Sequence, residues 1–189
     1  GMSALIEANE LSRDRLSAYH IGFVLGPCIN ASGRLDTAKR ALELLNTEDP
    51  LLALERAGEL KELNDERKAL TEKGVEMAVE QIEGSARKED RVLVVYLPDC
   101  HESLAGIIAG RIRERYYRPV FVLTKGEEAV KGSGRSIEAY SMFEEMSRCR
   151  ELFLKYGGHP MAAGLSISEE LVETFRERLN ENCTLTAAD

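Results

Sequence analysis

The apolar residues in the first part of this 189-residue chain are spaced at helical intervals. From residue 50 to residue 82 they recur every three or four positions, which predicts one long amphipathic helix with a proline in its first turn. Residues 3–18 have a helical composition but loosely spaced leucines, so we expect them to be the frayed end of a connecting helix. The long helix is predicted to act as a brace between domains.

A polar, glycine-containing segment lies between these two helical stretches. A glycine-proline pair ends the apolar run before it, and such a pair favours a break in regular structure. Residues 30–36 are therefore predicted to form a loop, with Asp36 or Thr37 as the N-cap of a short helix. In that short helix, Leu42 and Leu45 are expected to be buried.

The second part of the chain alternates short β-branched runs with helical patterns, which is typical of an α/β domain. Residues 91–96 and 119–123 are predicted to be buried strands, parallel to each other if the helix between them is a right-handed crossover. Ser103 is expected to cap that helix, and residues 127–136 are expected to form a hairpin. We predict an α/β fold with a mixed β-sheet flanked by helices, preceded by a helical interdomain linker.

These patterns divide the chain into three segments. Residues 1–18 are predicted to be the end of an interdomain connecting helix, residues 19–85 a linker loop and a long helical brace, and residues 86–189 the α/β substrate-binding domain. A last helix capped by Ser168 is expected near the end, and residues from Thr184 onward are expected to be disordered.

A glycine-rich motif in the α/β domain combines small residues with positive charge. The hexapeptide at residues 131–136, Lys-Gly-Ser-Gly-Arg-Ser, brings together backbone N–H groups, hydroxyls and two cationic side chains. Arranged as a turn, such groups hold a phosphate without a metal ion. The same residues can also form a flexible turn with an exposed lysine and arginine. An anion site is therefore a hypothesis that needs a second signal.

The second signal is Gly157-Gly158-His159, about two dozen residues further along the chain. The two glycines let the backbone approach another group closely. Pro160 excludes the α region at the histidine, so the imidazole is predicted to be presented from an extended, stiffened backbone. We interpret this histidine as a ligand contact.

A run of potential metal ligands at residues 99–102 does not have the spacing of a metal site. Asp, Cys, His and Glu are adjacent there, and four consecutive side chains cannot converge on one ion. His101 is expected instead to be a polar group at a helix start. The four cysteines stand far apart without a Cys-x-x-Cys pair, which favours reduced thiols over a zinc site or a disulfide framework.

The charge distribution restricts where an anion can bind. The net charge of −8 opposes broad binding to phosphates. Residues 101–160 are nevertheless net positive, with 10 basic and 8 acidic side chains, whereas residues 1–100 carry 13 and 19. This distribution fits a focused phosphate pocket better than a DNA-coating surface. Because the sequence has neither a signal-like segment nor a long apolar run, we expect a cytoplasmic protein without a membrane contact.

Three motifs in this order resemble those of a known enzyme family. Residues 132–136, 157–159 and 161–165 resemble the DHH-associated domain of the DHH phosphoesterases. Residues 26–36, Gly-Pro-Cys-Ile-Asn-Ala-Ser-Gly-Arg-Leu-Asp, are similar to the RecJ family of single-strand-specific 5′ to 3′ DNA exonucleases within that superfamily. The resemblance runs from about residue 19 to about residue 179.

The resemblance implies which residues contact DNA. Arg135 would hold a phosphate by a bidentate fork, and His159 would contact the backbone near the scissile bond. Many relatives have arginine where this chain has Cys28, so no contact is assigned there. The positions carried over as phosphate or DNA contacts are Ser133, Gly134, Arg135, Gly157, Gly158, His159, Asn30 and Arg34, with His101 as a weaker candidate.

The resemblance also implies a division of labour. The Asp-His-His metal motif of the family's amino-terminal catalytic domain is absent from this sequence. Mn²⁺ or Mg²⁺ is therefore expected to be bound by that separate domain, and none by this chain. We expect the chain to be the carboxy-terminal, single-stranded-DNA-binding half of an exonuclease acting in DNA repair and recombination, inactive without its DHH partner domain.

Two other functions remain open at this point. One is a DHH phosphoesterase that acts on a dinucleotide or a cyclic dinucleotide, for which the resemblance implies a shorter linker than residues 26–82 provide. The other is a non-catalytic nucleic-acid-binding module.

Overall fold

The structure is a computed structural model that describes residues 1–186. Within these residues the chain forms two compact units, residues 1–70 and the residues from Thr71 onward. Each unit has a buried apolar core of its own.

The first unit is built from helices. Its core contains Leu5, Leu25, Leu44 and Leu60, all of which are fully or almost fully buried. The helices are α1 (Met2–Ala8), α2 (Ala18–His20), a π-helical turn (Ile21–Leu25), α3 (Gly26–Leu35), α4 (Lys39–Asn46) and the first part of α5 (Pro50–Glu83), with a short 3₁₀ turn at Arg13–Arg15.

The predicted long helix is confirmed as α5. Its first turn is capped by Asp49, whose carboxylate accepts the backbone N–H groups of Leu51 (2.9 Å) and Leu52 (3.3 Å). The prediction succeeded because a helix of 34 residues repeats its apolar spacing over many turns.

The predicted loop at residues 30–36 is wrong, because residues 26–35 form α3. Pro27 is tolerated since it stands in the first turn of α3, directly after the π-helical turn has changed the hydrogen-bond register. Leu25, Cys28 and Ala31 are buried at helical spacing, and this apolar face holds the segment in a helix.

Two finer predictions for the first unit are also wrong. Leu42 and Leu45 are 57% and 47% exposed, because α4 starts at Lys39 and turns its neighbours Ala41 and Leu44 into the core instead. The amino-terminal segment is not a frayed helix end, since Leu5 of α1 is completely buried.

The second unit contains a five-stranded sheet with the order β1-β2-β3-β5-β4. β1 and β2 are parallel, and the other neighbours are antiparallel, so the predicted mixed α/β sheet is confirmed. The strands are β1 (Leu93–Tyr96), β2 (Val120–Lys125), β3 (Val130–Arg135), β4 (Phe153–His159) and β5 (Ala162–Ile167), and the helices are α6 (Ala105–Tyr116), α7 (Met142–Ser147) and α8 (Val172–Glu181).

Helices pack on both faces of this sheet. α6 joins β1 to β2 and packs against β2 and β3. On the other face, Phe121 of β2 meets Phe175 of α8 edge to face, with ring centroids 5.1 Å apart. The two faces are therefore chemically distinct, and the residues of each strand alternate between them.

The outer edge of β1 is closed by side-chain amides. Gln81 of α5 accepts the N–H of Tyr96 and donates to its carbonyl, both at 3.1 Å. Asn180 of α8 accepts the N–H groups of Arg91 (2.9 Å) and Val92 (3.0 Å) and donates to the Val92 carbonyl (2.9 Å). These amides satisfy backbone groups that a further strand would otherwise pair.

The predicted disorder from Thr184 onward is wrong for Leu185, which is buried among the core residues of the second unit. Residues 187–189, which that prediction also covered, lie outside the described residues. In the part of the chain that the structure describes, no helix combines the length and the apolarity needed to cross a membrane.

Candidate nucleic-acid interface

The glycine-rich motif is not a turn. Residues 130–135 form β3, the middle strand of the sheet, and pair with β2 on one side and β5 on the other. A Cβ atom on Gly132 would lie 2.4 Å from a Leu123 methyl group, and one on Gly134 would lie 2.6 Å from the Met142 sulfur. These glycines let core side chains pack against the strand, so the predicted cradle of backbone N–H groups does not form.

Alternation along β3 nevertheless brings the polar side chains of the motif together. Lys131, Ser133 and Arg135 share one face, the face on which α6 packs, whereas the two glycines face the other core. Ser136 is fully buried, and its hydroxyl donates to the Tyr140 carbonyl at 2.6 Å. Side chains of β3 can thus hold an anion, but Ser136 has a structural role.

Strand register places His159 on the same face as Arg135. Arg135 pairs with Ala162 of β5, and Ala162 pairs with His159 of β4. Because neighbouring strands lie about 4.8 Å apart, the Cα atoms of Arg135 and His159 are separated by roughly 10 Å across the sheet. His159 itself is exposed at the end of β4.

Between these side chains, the surface of the sheet is formed by Gly164 and Gly157, which we call the glycine floor. Ser133 pairs with Gly164, which in turn pairs with Gly157. A Cβ atom on Gly157 would meet nothing within 4 Å, and one on Gly164 would meet only the Gly132 carbonyl at 3.8 Å. Packing within the protein does not require glycine at these two positions, so the space above them is available to a ligand.

Gly158 has a different role from Gly157. Its φ of +154° is a conformation that residues with side chains rarely adopt. A Cβ atom there would lie 2.4 Å from the Ala162 carbonyl oxygen. Gly158 therefore shapes the β4–β5 hairpin and points away from the face that carries Ser133.

The Arg135 guanidinium lies against the first turn of α6. Its Nη1 donates to the Gly134 carbonyl at 2.7 Å, which fixes the orientation of the planar group. A Cβ atom on Gly106 would lie 2.7 Å from Nη2 and 3.5 Å from the Ser133 hydroxyl. The missing side chain of Gly106 thus leaves the space that Arg135 and Ser133 occupy.

His101 stands at the start of the 3₁₀ turn that precedes α6. Its Nδ1 accepts the Ser103 N–H (3.3 Å) and lies 2.7 Å from the Ser103 hydroxyl, so His101 caps this turn. The N-cap of α6 itself is Leu104, so the predicted N-cap position of Ser103 is wrong. A cleft of about 320 Å³ lies beside it, lined by Glu102, Lys131 and Ser133 among others. Lys131 is a candidate that the sequence motif contained but that was not singled out.

Asn30 and Arg34 belong to the first unit, and the sheet face of the second unit is built without them. Both lie on α3, four residues apart and so on one side of the helix. Asn30 is exposed and Arg34 is half-buried.

The cysteines are buried or half-buried thiols without disulfide bonds. Burial raises the pKa values of Cys28 and Cys100 and raises that of Cys149 to about 11, which keeps these three protonated at neutral pH. In residues 1–186 no group of three or more His, Cys, Asp and Glu side chains could hold a metal ion.

Comparison with known families identifies the family of the domain that contains this sheet. A family model described as the DHHA1 domain matches residues 89–184, about half of the chain. This chain belongs to the DHHA1 domain family. The DHHA1 match contains the whole sheet face described above, from the start of α6 to the β4–β5 hairpin.

The similarity to RecJ proteins extends over both units. The chain is 37% identical to RecJ of Bacillus subtilis over 100% of its own length and 24% of that protein, and 38% identical to RecJ of Escherichia coli over 97% and 33%. The crystal structure of RecJ from Thermus thermophilus with Mg²⁺ superimposes with a TM-score of 0.83 at 34% identity, covering 95% of this chain and 27% of that one. The resemblance to RecJ seen in the DHHA1 motifs and in residues 26–36 is confirmed, and the chain spans only a quarter to a third of these relatives.

Proposed function

We propose that this chain is the DNA-binding part of a RecJ-type single-strand-specific exonuclease, holding the strand near its 5′ end while a separate DHH domain cleaves it. The observation that carries the proposal is the open sheet face of the DHHA1 domain, where Lys131, Ser133, Arg135 and His159 surround a glycine floor. RecJ relatives are described as specific for single-stranded DNA, and this supports the choice of substrate.

The chemistry of the face suits DNA phosphates. Arg135 offers a planar fork of charge-assisted donors, Ser133 a hydroxyl and Lys131 a point charge. The backbone N–H groups of β3 are paired within the sheet, so recognition rests on side chains. His159 stands two strands away and can contact the next part of the same strand. Contacts of this kind fix the position of DNA without reading its sequence.

Asn30 and Arg34 are proposed as further DNA contacts. An amide and a guanidinium on one side of α3 provide donors for phosphate or sugar oxygens. His101 is a weaker candidate, because its Nδ1 is engaged with Ser103.

Hydrolysis is proposed to take place outside this chain. Crystal structures of RecJ proteins are described with Mg²⁺ or Mn²⁺, and we propose that the DHH domain of the parent enzyme holds this ion. Such ions activate water for attack on a phosphodiester. This chain would orient the strand and hold its phosphates, and the parent enzyme would act in DNA repair and recombination.

A dinucleotide or cyclic-dinucleotide phosphoesterase is less well supported. The RecJ similarity covers 94–100% of the chain in the relatives from B. subtilis, E. coli and Dickeya dadantii, and it therefore includes the helical first unit. The unit that carries the proposed contacts Asn30 and Arg34 is thus part of the RecJ similarity.

The test compares binding and cleavage by the same preparation. Fluorescence anisotropy at one fixed salt concentration should show that the chain binds a 5′-phosphorylated single strand more tightly than a duplex of the same sequence. Added manganese should release no nucleotides. Failure to bind single strands would overturn the DNA-binding role, and manganese-dependent cleavage by the purified chain would overturn the proposed division of labour.

A further inference from the structure

Two neighbouring aromatic side chains in the first unit are exposed to solvent. Tyr19 and Phe23 are 64% and 71% exposed, and their rings stack with centroids 5.1 Å apart at an interplanar angle of 24°. Large aromatic side chains are usually buried, and exposed apolar clusters mark binding surfaces. Neither residue was singled out from the sequence as a DNA contact.

The aromatic pair stands on an ordered helix start. His20 Nδ1 accepts the Ser17 N–H at 3.2 Å and lies 2.9 Å from the Ser17 hydroxyl. These contacts stabilise the first turn of α2. The His20 ring also meets Tyr19 edge to face at 5.8 Å. The π-helical turn Ile21–Leu25 follows, a local geometry that is frequent at functional sites.

The aromatic pair and the proposed DNA contacts lie on the consecutive helical elements α2, the π-helical turn and α3, and on the same side of them. Leu25, Cys28 and Ala31 mark its buried side. Counting turns from these residues puts Phe23 and Arg34 on the opposite, outward side, with Asn30 beside them.

The charge of this stretch favours an anionic partner. Residues 11–34 contain three arginines and one aspartate, and no acidic side chain occurs between Arg15 and Asp36. This is unusual in a chain with a net charge of −8. An apolar protein surface would be matched by the rings alone, whereas a nucleic acid is matched by the rings and the arginines together.

We propose that Tyr19 and Phe23 form a stacking platform for unpaired bases of single-stranded DNA, next to the backbone contacts of Asn30 and Arg34. The inference rests on the proposed function and adds base contacts to it. Every base has a π-face, so a stacked aromatic pair binds bases without selecting a sequence. In a duplex these faces are occupied by neighbouring bases, and the platform thus favours single strands.

The test uses the full chain and two fluorescent probes of equal length, an oligothymidylate and an abasic phosphodiester oligomer. At one fixed salt concentration, Phe23→Ala should weaken oligothymidylate binding about tenfold and leave the abasic probe unchanged. Leu51→Ala is the matched control, because Leu51 is also an exposed apolar residue of the first unit (78%). It should change the affinity for neither probe. Thermal unfolding of each variant checks that the fold is intact.

A second variant gives a direct signal for stacking. The chain contains no tryptophan, so Phe23→Trp introduces a single indole fluorophore. Its emission should be quenched by oligothymidylate and not by the abasic probe, with affinity retained.

Other results overturn the platform. Equal losses for both probes would mean a charge or folding effect, and no loss together with a changed oligomeric state would mean an interface between copies. If Arg135→Ala weakens binding while Phe23→Ala does not, only the platform fails. If the unmodified chain binds neither probe, the proposed function fails with it.

Discussion

At the scale of single residues, the two neighbouring glycines of the β4–β5 hairpin have separable roles. Gly158 holds a φ of +154° with no space for a Cβ atom, whereas Gly157 faces open space above the sheet. We predict that Gly158→Ala lowers the free energy of unfolding by about 2 kcal/mol or more, because it adds backbone strain and a backbone clash. Urea unfolding measures this loss.

Gly157→Ala is the matched comparison. It should change the free energy of unfolding by less than about 0.5 kcal/mol, since its side chain meets nothing in the protein. It should weaken single-stranded DNA binding, because the methyl group occupies the floor of the proposed interface. Equal destabilisation by both substitutions would contradict the separation of roles.

Gly106 and Gly110 provide a second matched pair, one turn apart on α6. A methyl group on Gly106 would meet the Arg135 guanidinium, whereas one on Gly110 would meet nothing within 4 Å. Gly106→Ala should therefore keep the fold but reduce single-stranded DNA affinity several-fold by displacing Arg135. Gly110→Ala should leave affinity unchanged and stabilise the helix by up to about 1 kcal/mol. Unchanged affinity in Gly106→Ala would show that the position of Arg135 is not important for binding.

At the scale of elements, the sequence predicted long periodic segments well and short glycine-rich ones poorly. The spacing of apolar residues predicted the 34-residue helix α5, and β-branched runs predicted the strands β1 and β2, with parallel pairing expected for a right-handed crossover between them. The β3 motif was mistaken for a turn because glycine propensity is local, whereas Leu123 and Met142, which fill the space beside its glycines, are brought there by the fold. Strand alternation then placed Ser133 and Arg135 on one face, which no local signal could show.

The helix α3 was missed for a related reason. A glycine-proline pair normally ends regular structure, but here a π-helical turn precedes Pro27 and the buried Cys28 and Ala31 continue the helix. The candidates Asn30 and Arg34 therefore have helical spacing, and their alignment with the aromatic pair could not be derived from a loop.

One side-chain amide of α8 satisfies the backbone at the edge of the sheet. Asn180 makes three hydrogen bonds to the backbone of residues 91 and 92 and a fourth to the Arg176 carbonyl at 3.0 Å. Asn180→Ala should lower the free energy of unfolding by roughly 2–4 kcal/mol, because it leaves partly buried backbone groups unpaired. Glu177→Ala, at an exposed position of the same helix, should change it by less than about 0.5 kcal/mol. A small effect of Asn180→Ala would mean that water replaces the amide.

At the scale of the whole molecule, an acidic chain concentrates its positive charge where the candidate interface lies. Residues 101–160 contain both Arg135 and His159 and are net positive, whereas the rest of the chain is net negative. Acidic surroundings discourage DNA from coating the protein and leave the sheet face as a focused site. Added salt should therefore weaken binding with a shallow slope, because only a few phosphates are contacted.

The central claim is that Arg135 on the open sheet face holds a DNA phosphate, and Arg135→Lys tests it most directly. Lysine keeps the charge but loses the planar fork, so affinity for a 5′-phosphorylated single strand at fixed salt should fall by roughly tenfold or more, the equivalent of about 1.5–3 kcal/mol. Arg115→Ala, at an exposed position of α6, is the control and should change affinity much less. A larger loss for the 5′-phosphorylated strand than for a 5′-hydroxyl strand is the predicted result, and undiminished affinity for both strands would contradict the account.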